Sequence, residues 1–239
     1  YKAAAAIKPN EFSPLYNQGV IYSRMAQFGN AATAFEAAVK VNPDDAEALG
    51  GLGWALFKSG KPNEGITTLR QATAKDPMLL SAWLNLATAL TAQEQYTDAV
   101  PAWEAALRIK PNHLAANINL GNLYIRTGSY EKAVSAYQAA ANIDPKSADA
   151  HYGAGLAYSH MDKSDLAIEE YKKAIALNPK MAAAYNNMGV ELEKKDQRDE
   201  AIAQYKKALE VDPGHADAKR NLDRFNNAQP KPAATGKPA

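Results

Sequence analysis

The sequence predicts an all-α protein built as a tandem array of helical hairpins. Three observations carry that prediction. Pro9, Pro43, Pro77, Pro111, Pro145, Pro179 and Pro213 stand 34 residues apart without a slip, and a fixed period of about 20 to 50 residues marks a repeat architecture. Each proline closes nearly the same phrase: "FEAAVKVNP" at 35–43, "WEAALRIKP" at 103–111, "YKKAIALNP" at 171–179, "YKKALEVDP" at 205–213. Every full period also holds two stretches of apolar residues at helical spacing, with a turn between them.

In chain order, residues 1–11 open with "YKAAAAIKP" and match only the end of a second helix. Such a helix cannot bury its apolar side without a partner in front. The natural chain is therefore expected to extend upstream with at least the missing first helix. Six complete units follow, at 12–45, 46–79, 80–113, 114–147, 148–181 and 182–215. In the fourth, "LAANINLGNLYIRTG" reads as a first helix that stops at Gly128, where the backbone turns easily. "SYEKAVSAYQAAANIDP" follows and ends at Pro145, since proline cannot continue a helix. Asp44 or Asp45 in one unit and Ser147 in another supply polar caps for the next start. Residues 216–227, "ADAKRNLDRFNN", begin one more first helix that caps the array. The last stretch, 228–239, is Pro-, Ala- and Lys-rich with no apolar period and is expected to be disordered.

Small residues recur where helices must touch. Position 8 of the unit holds Gly19, Gly53, Ala87, Gly121, Gly155 and Gly189; position 27 is Ala in all units, from Ala38 to Ala208. Large residues fill between them at position 24: Phe35, Leu69, Trp103, Tyr137, Tyr171 and Tyr205. Close interdigitation requires this alternation.

This pattern resembles the tetratricopeptide repeat (TPR): large at 4, Leu at 7, Gly or Ala at 8, Tyr at 11, Ala at 20, aromatic at 24, Ala at 27, Pro at 32. "SAWLNLATAL" and "AYNNMGVEL" match its first-helix motif. Departures are Gln18 and Ala154 in place of Leu, and Asn117 and His151 in place of a large apolar group. The resemblance implies a right-handed α-solenoid superhelix whose first helices line a concave groove.

Several functions are disfavoured. With 27 basic and 26 acidic residues the net charge is +1, which gives no electrostatic case for nucleic acid or an anionic membrane as partner. No apolar run reaches the roughly 18 residues of a membrane span. There is no cysteine, so disulfides and thiol chemistry are out; cytoplasm and periplasm both stay open. His113, His151, His160 and His215 show no metal-ligand spacing. "GGLGWALFKSGK" lacks the Gly-Lys-Ser/Thr ending of a phosphate loop. Glu169 and Glu170 read as a solvated pair. No catalytic residue, cofactor or metal is expected, and the chain is expected not to be an enzyme.

Function is then expected on the face of the first helices that packing does not use, at positions 2, 5, 6, 9, 12 and 13. Large apolar groups fall there: Tyr16, Val20, Trp54, Phe57, Leu84, Ile118, Ile125, Tyr152, Leu156 and Val190. Position 6 carries Asn17, Asn85, Asn119 and Asn187, interrupted by Gly51 and Gly153, with Asn122 and Asn186 beside it. An amide both donates and accepts, so such a row can pair with a peptide backbone whatever its side chains. The row resembles the asparagine ladder of TPR superhelices such as the one attached to protein O-GlcNAc transferases. Position 13 gives Arg24, Lys58, Ala92, Arg126, His160 and Lys194. The Hsp70/Hsp90 carboxylate clamp of the family is disfavoured, because Ile118 and Gly153 stand where its Lys and Asn belong. The expected function is a scaffold that binds a protein or peptide, through Asn17, Trp54, Phe57, Leu84, Asn85, Ile118, Asn119, Asn122, Arg126, Tyr152 and Asn187. The alternative is a self-associating array, a homo-oligomer, or a targeting module for a catalytic domain elsewhere in a larger protein.

Overall fold

The computed structural model describes residues 11–228. The readings made for residues 1–10 and for the tail from 229 onward lie outside it. Among the described residues there are thirteen α-helices and no strand. They alternate as α1 (Phe12–Arg24), α2 (Phe28–Val41), α3 (Ala46–Lys58), α4 (Pro62–Lys75), α5 (Leu80–Ala92), α6 (Tyr96–Ile109) and α7 (Leu114–Arg126). The series continues with α8 (Tyr130–Ile143), α9 (Ala148–His160), α10 (Ser164–Leu177), α11 (Ala182–Lys194), α12 (Arg198–Val211) and α13 (Ala216–Ala228). Odd-numbered helices are the first helix of a period and even-numbered ones the second. The helices gather into two compact units, one ending at Leu123 and one starting at Tyr124. In each, a first helix packs on its own second helix and on the second helix before it.

The turn inside each period shows a regularity that composition hides. Ala26, Gly60, Glu94, Gly128, Asp162 and Asp196 all have positive φ, between 54° and 91°. All six are position 15. Glycine adopts this conformation freely, yet only two of the six are glycine, so the hairpin geometry overrides local preference elsewhere.

The turn between periods is held by side chains. Asp76 Oδ1 accepts from the amide of Met78 at 2.8 Å, and Asp144, Asn178 and Asp212 do the same two residues on. These Asx turns sit immediately before and around the repeated proline. Where position 34 is polar, its side chain then caps the next first helix; Leu79 and Met181 at that position do not. Asp45 accepts from Ala48 N at 2.7 Å and Ser147 from Ala150 N at 3.3 Å. His113 and His215 cap in the same way through Nδ1, each 3.2 Å from the amide three residues on.

Burial follows the predicted alternation. Phe35, Leu69, Trp103, Tyr137, Tyr171 and Tyr205 are all buried, as are the alanines at position 27. Ala140 has no exposed surface, whereas Ala92 is exposed at the end of α5. Ala140→Leu is therefore expected to overpack the second unit and lower stability by about 1–3 kcal/mol. Ala92→Leu should change it by less than about 0.5 kcal/mol. Equal losses in urea melts of the two variants would overturn the face assignment.

Two departures from the repeat pattern have a physical account. Trp83 donates its indole N–H to the carbonyl of Pro77 at 2.9 Å. Asn117, one period later, is buried and donates its amide to the carbonyl of Pro111 at 2.9 Å and to that of His113 at 3.1 Å. A smaller residue thus keeps the same anchor to the turn. His151, a further period on, turns instead to Glu170, with Nδ1 2.7 Å from Oε2. Glu170 is therefore not a solvated residue: it is mostly buried and also accepts from Lys173 at 2.8 Å.

Candidate interaction face of the first helices

In the first unit the predicted site residues stand on α1, α3, α5 and the start of α7, and first helices of successive periods touch, α1 with α3 and α3 with α5. Trp54 and Phe57, one helical turn apart on α3, stack with centroids 5.6 Å apart and planes 21° from parallel. The Lys58 ammonium lies 5.7 Å from the Trp54 ring and 5.6 Å from that of Phe28 at the start of α2. Cation–π attraction of this kind holds the aromatic pair and the charge as one group. Asn17 and Asn85 are partly exposed, while Asn119 and Asn122 are exposed on α7. Asn17, Asn85 and Asn119 make no side-chain hydrogen bond among the described residues, so their amides are available. Leu84 and Ile118 are half-buried.

The large apolar groups of this face are less open than the sequence suggests. None of Tyr16, Val20, Trp54, Phe57, Leu84, Ile118, Ile125, Tyr152, Leu156 and Val190 is more than partly exposed. Tyr16 stacks on Phe12 at 5.7 Å, meets Phe35 edge-on, and donates its hydroxyl to Glu47 of the next first helix at 3.0 Å. Burial, with the carboxylate of Glu47 beside it, pushes the Tyr16 hydroxyl up to about 12. Position 5 is thus a seam between consecutive first helices, not an open surface.

The same seam explains why glycine interrupts the asparagine row. A Cβ on Gly51 would lie 2.7 Å from the Phe35 ring, and one on Gly153 would lie 2.2 Å from the Tyr137 ring. Both distances are inside van der Waals contact. In these two periods the Phe35 or Tyr137 ring fills the space that position 6 of the next would use, whereas Asn119 and Asn187 stand after Trp103 and Tyr171.

In the second unit the amides are joined to one another. Asn221 donates to Asn186 Oδ1 at 3.0 Å, Asn186 donates to Asn187 Oδ1 at 3.0 Å, and Asn187 donates to the Tyr152 hydroxyl at 3.1 Å. Asn186, expected on the open face, is buried. Burial raises the Tyr152 hydroxyl above its ordinary value, the Asn187 bond working against it. Arg126 and His160 are exposed, and the His160 ring lies flat on Tyr130 with centroids 4.8 Å apart. Every position-13 residue, from Arg24 to Lys194, is exposed.

One group escaped sequence reasoning. Glu191 has no exposed surface, accepts from the hydroxyls of Ser159 and Ser164 at 2.6 Å each, and pairs with Lys194 at 3.0 Å. The signal was present: position 10 is otherwise Ile21, Ala55, Ala89, Leu123 and Ala157. Among the described residues no group of three His, Cys, Asp or Glu is placed to hold a metal, and no helix is long and apolar enough to cross a membrane.

Models of the tetratricopeptide repeat match residues 16–77, 53–113, 148–181 and 182–215, and a further TPR repeat model matches 121–162. The chain belongs to the tetratricopeptide repeat family. Among solved TPR structures it resembles YrrB, described as a TPR protein with an unusual peptide-binding site: 21% identity, 80% of this chain and 99% of that one, TM-score 0.72. MamA from Desulfovibrio magneticus RS-1 aligns at 23% identity over 72% of this chain and 97% of its own, TM-score 0.65. The C-terminal part of a TPR repeat-containing protein from Cytophaga hutchinsonii aligns at 20% identity over 92% and 91%, TM-score 0.77. No curated protein sequence matches the chain. TPR membership and these TPR neighbours support a protein-interaction scaffold.

Proposed function

We propose that the first-helix face of residues 12–123 binds an extended segment of a partner protein and catalyses no reaction. The observation that carries this reading is the stacked Trp54–Phe57 pair under the Lys58 ammonium, with unengaged amides at Asn17, Asn85 and Asn119 on neighbouring first helices. Amides left to water on one face keep a donor and an acceptor that a peptide backbone can take in place of that water. Aromatic anchors tend to dominate such interfaces. The peptide-binding site that YrrB is described as carrying makes the same use of the fold plausible at the level of architecture.

The test is to select binders from a displayed peptide library on the wild-type chain and titrate the best against Asn85→Ala/Asn119→Ala. Each lost hydrogen bond is worth roughly 0.5–1.5 kcal/mol, so the double variant should bind about 5- to 150-fold more weakly. Trp54→Ala should weaken the same peptide. Unchanged affinity in a variant that circular dichroism shows to be folded would dismiss this face.

A further inference from the structure

A cavity of about 510 Å³ opens on the second-helix side of the second unit, between α10 and α12, with α11 behind it. Its apolar floor is Ile168, Met188 and Leu192. One end is closed by the ion pair between Asp165 and Lys195. Lys172 stands on the α10 wall and Glu200 on the α12 wall, both exposed. Among the described residues neither makes an ion pair.

The repeat supplies its own control. Three periods earlier, Arg70 and Asp98 occupy the positions of Lys172 and Glu200, and their side chains pair at 2.5 Å. Beneath that bridge Ile66, Leu86 and Leu90 are 6%, 3% and 0% exposed. The matching floor of Ile168, Met188 and Leu192 is 7%, 6% and 9% exposed. The same register is thus bridged in one period and open in the other, with a cation and a carboxylate left on facing walls. A longer guanidinium fork can span and pair where a lysine does not.

We infer that this cleft is a second binding site, separate from the first-helix face, for a partner polypeptide that presents an apolar side chain between one acidic and one basic residue. The apolar group would cover Met188 and Leu192, the acidic residue would meet Lys172, and the basic one Glu200. Charges left facing each other above an apolar floor ask for a ligand of both signs, and a singly charged segment would leave one of them unmet. The cavity is of the size that holds such a side chain with its neighbours.

The probe is the blocked tripeptide acetyl-Glu-Leu-Lys-amide, added to the full chain carrying ¹³C-methyl methionine, up to about 10 mM because one small site gives millimolar binding. A saturating shift of the Met188 methyl is expected. Acetyl-Gln-Leu-Lys-amide and acetyl-Glu-Ser-Lys-amide should bind several-fold more weakly. Lys172→Arg/Glu200→Asp restores the pair seen at Arg70 and Asp98, and should abolish the shift while leaving the chain folded. Asn85→Ala/Asn119→Ala should leave it intact, which separates this site from the first-helix face. No shift in the wild type, equal shifts with all three peptides, or an undiminished shift in the re-paired variant would each overturn the proposal.

Discussion

Gly65→Ala is expected to destabilise the first unit by about 2 kcal/mol net, although alanine is the better helix former. A Cβ on Gly65 would lie 2.7 Å from the carbonyl oxygen of Gly53 and 2.7 Å from the amide nitrogen of Phe57. The reverse contact is as tight, since a Cβ on Gly53 would lie 2.9 Å from Gly65 O. The backbones of α3 and α4 therefore touch at this crossing. A side chain can rotate out of the way, but a backbone cannot unless the helices separate. Overpacking of this kind costs about 1–3 kcal/mol, and the upper end applies here. Against it stands the gain of about 1 kcal/mol from replacing glycine within a helix. Gly29 isolates that gain, because nothing lies within 4 Å of its Cβ position. Gly29→Ala should stabilise by up to about 1 kcal/mol. Urea melts of the two variants read both effects, and a stabilised Gly65→Ala would show that the helices are not in contact there.

What the sequence made legible is what repetition writes in several copies. The proline period, the small residues at positions 8 and 27 and the large ones at 24 recur, so one unit checks another, and every described helix lies where the period places it. The turn at position 15 was legible only where it is glycine. Ala26 and Glu94 take the same left-handed conformation because two packed helices leave the connecting residue no alternative, a constraint that local propensity does not contain. Position 13 is exposed throughout, whereas position 5, expected on the same open face, is half-buried or buried. Helical periodicity gives the direction of a side chain but not the neighbour that meets it. Asn186 is buried, because Asn221 of α13, the next first helix, lies against it. Asn187 and Asn85 share one position, yet the first is hydrogen-bonded to Tyr152 and the second is not.

Glu191 leads to the other large effect. Its carboxylate is fully buried, and each oxygen takes a serine hydroxyl at 2.6 Å, Ser159 from α9 and Ser164 from the start of α10. The residue therefore ties α11 to both helices of the preceding period. Glu191→Ala removes the acceptor for both hydroxyls. A buried polar group left unpaired costs about 1–3 kcal/mol, so the variant should lose about 2–4 kcal/mol for the two. Lys194 adds little to that loss, being exposed and able to turn to water or to Asp162, 3.6 Å away. Glu169→Ala, at a carboxylate paired only with exposed Lys173, should change stability by less than about 0.5 kcal/mol. The same site sets an acid limit. Burial works to raise the Glu191 carboxyl, but the Ser159 and Ser164 hydroxyls and the Lys194 ammonium outweigh it and hold the group below its ordinary 4.5. A carboxyl with a lowered folded pKa stabilises above the unfolded value and loses that contribution as pH falls through the folded one. The gap between wild type and Glu191→Ala should thus be full above pH 4.5 and narrow progressively below it. A gap that stays constant down to the acid transition would mean that the carboxylate charge does not contribute to holding the two periods together.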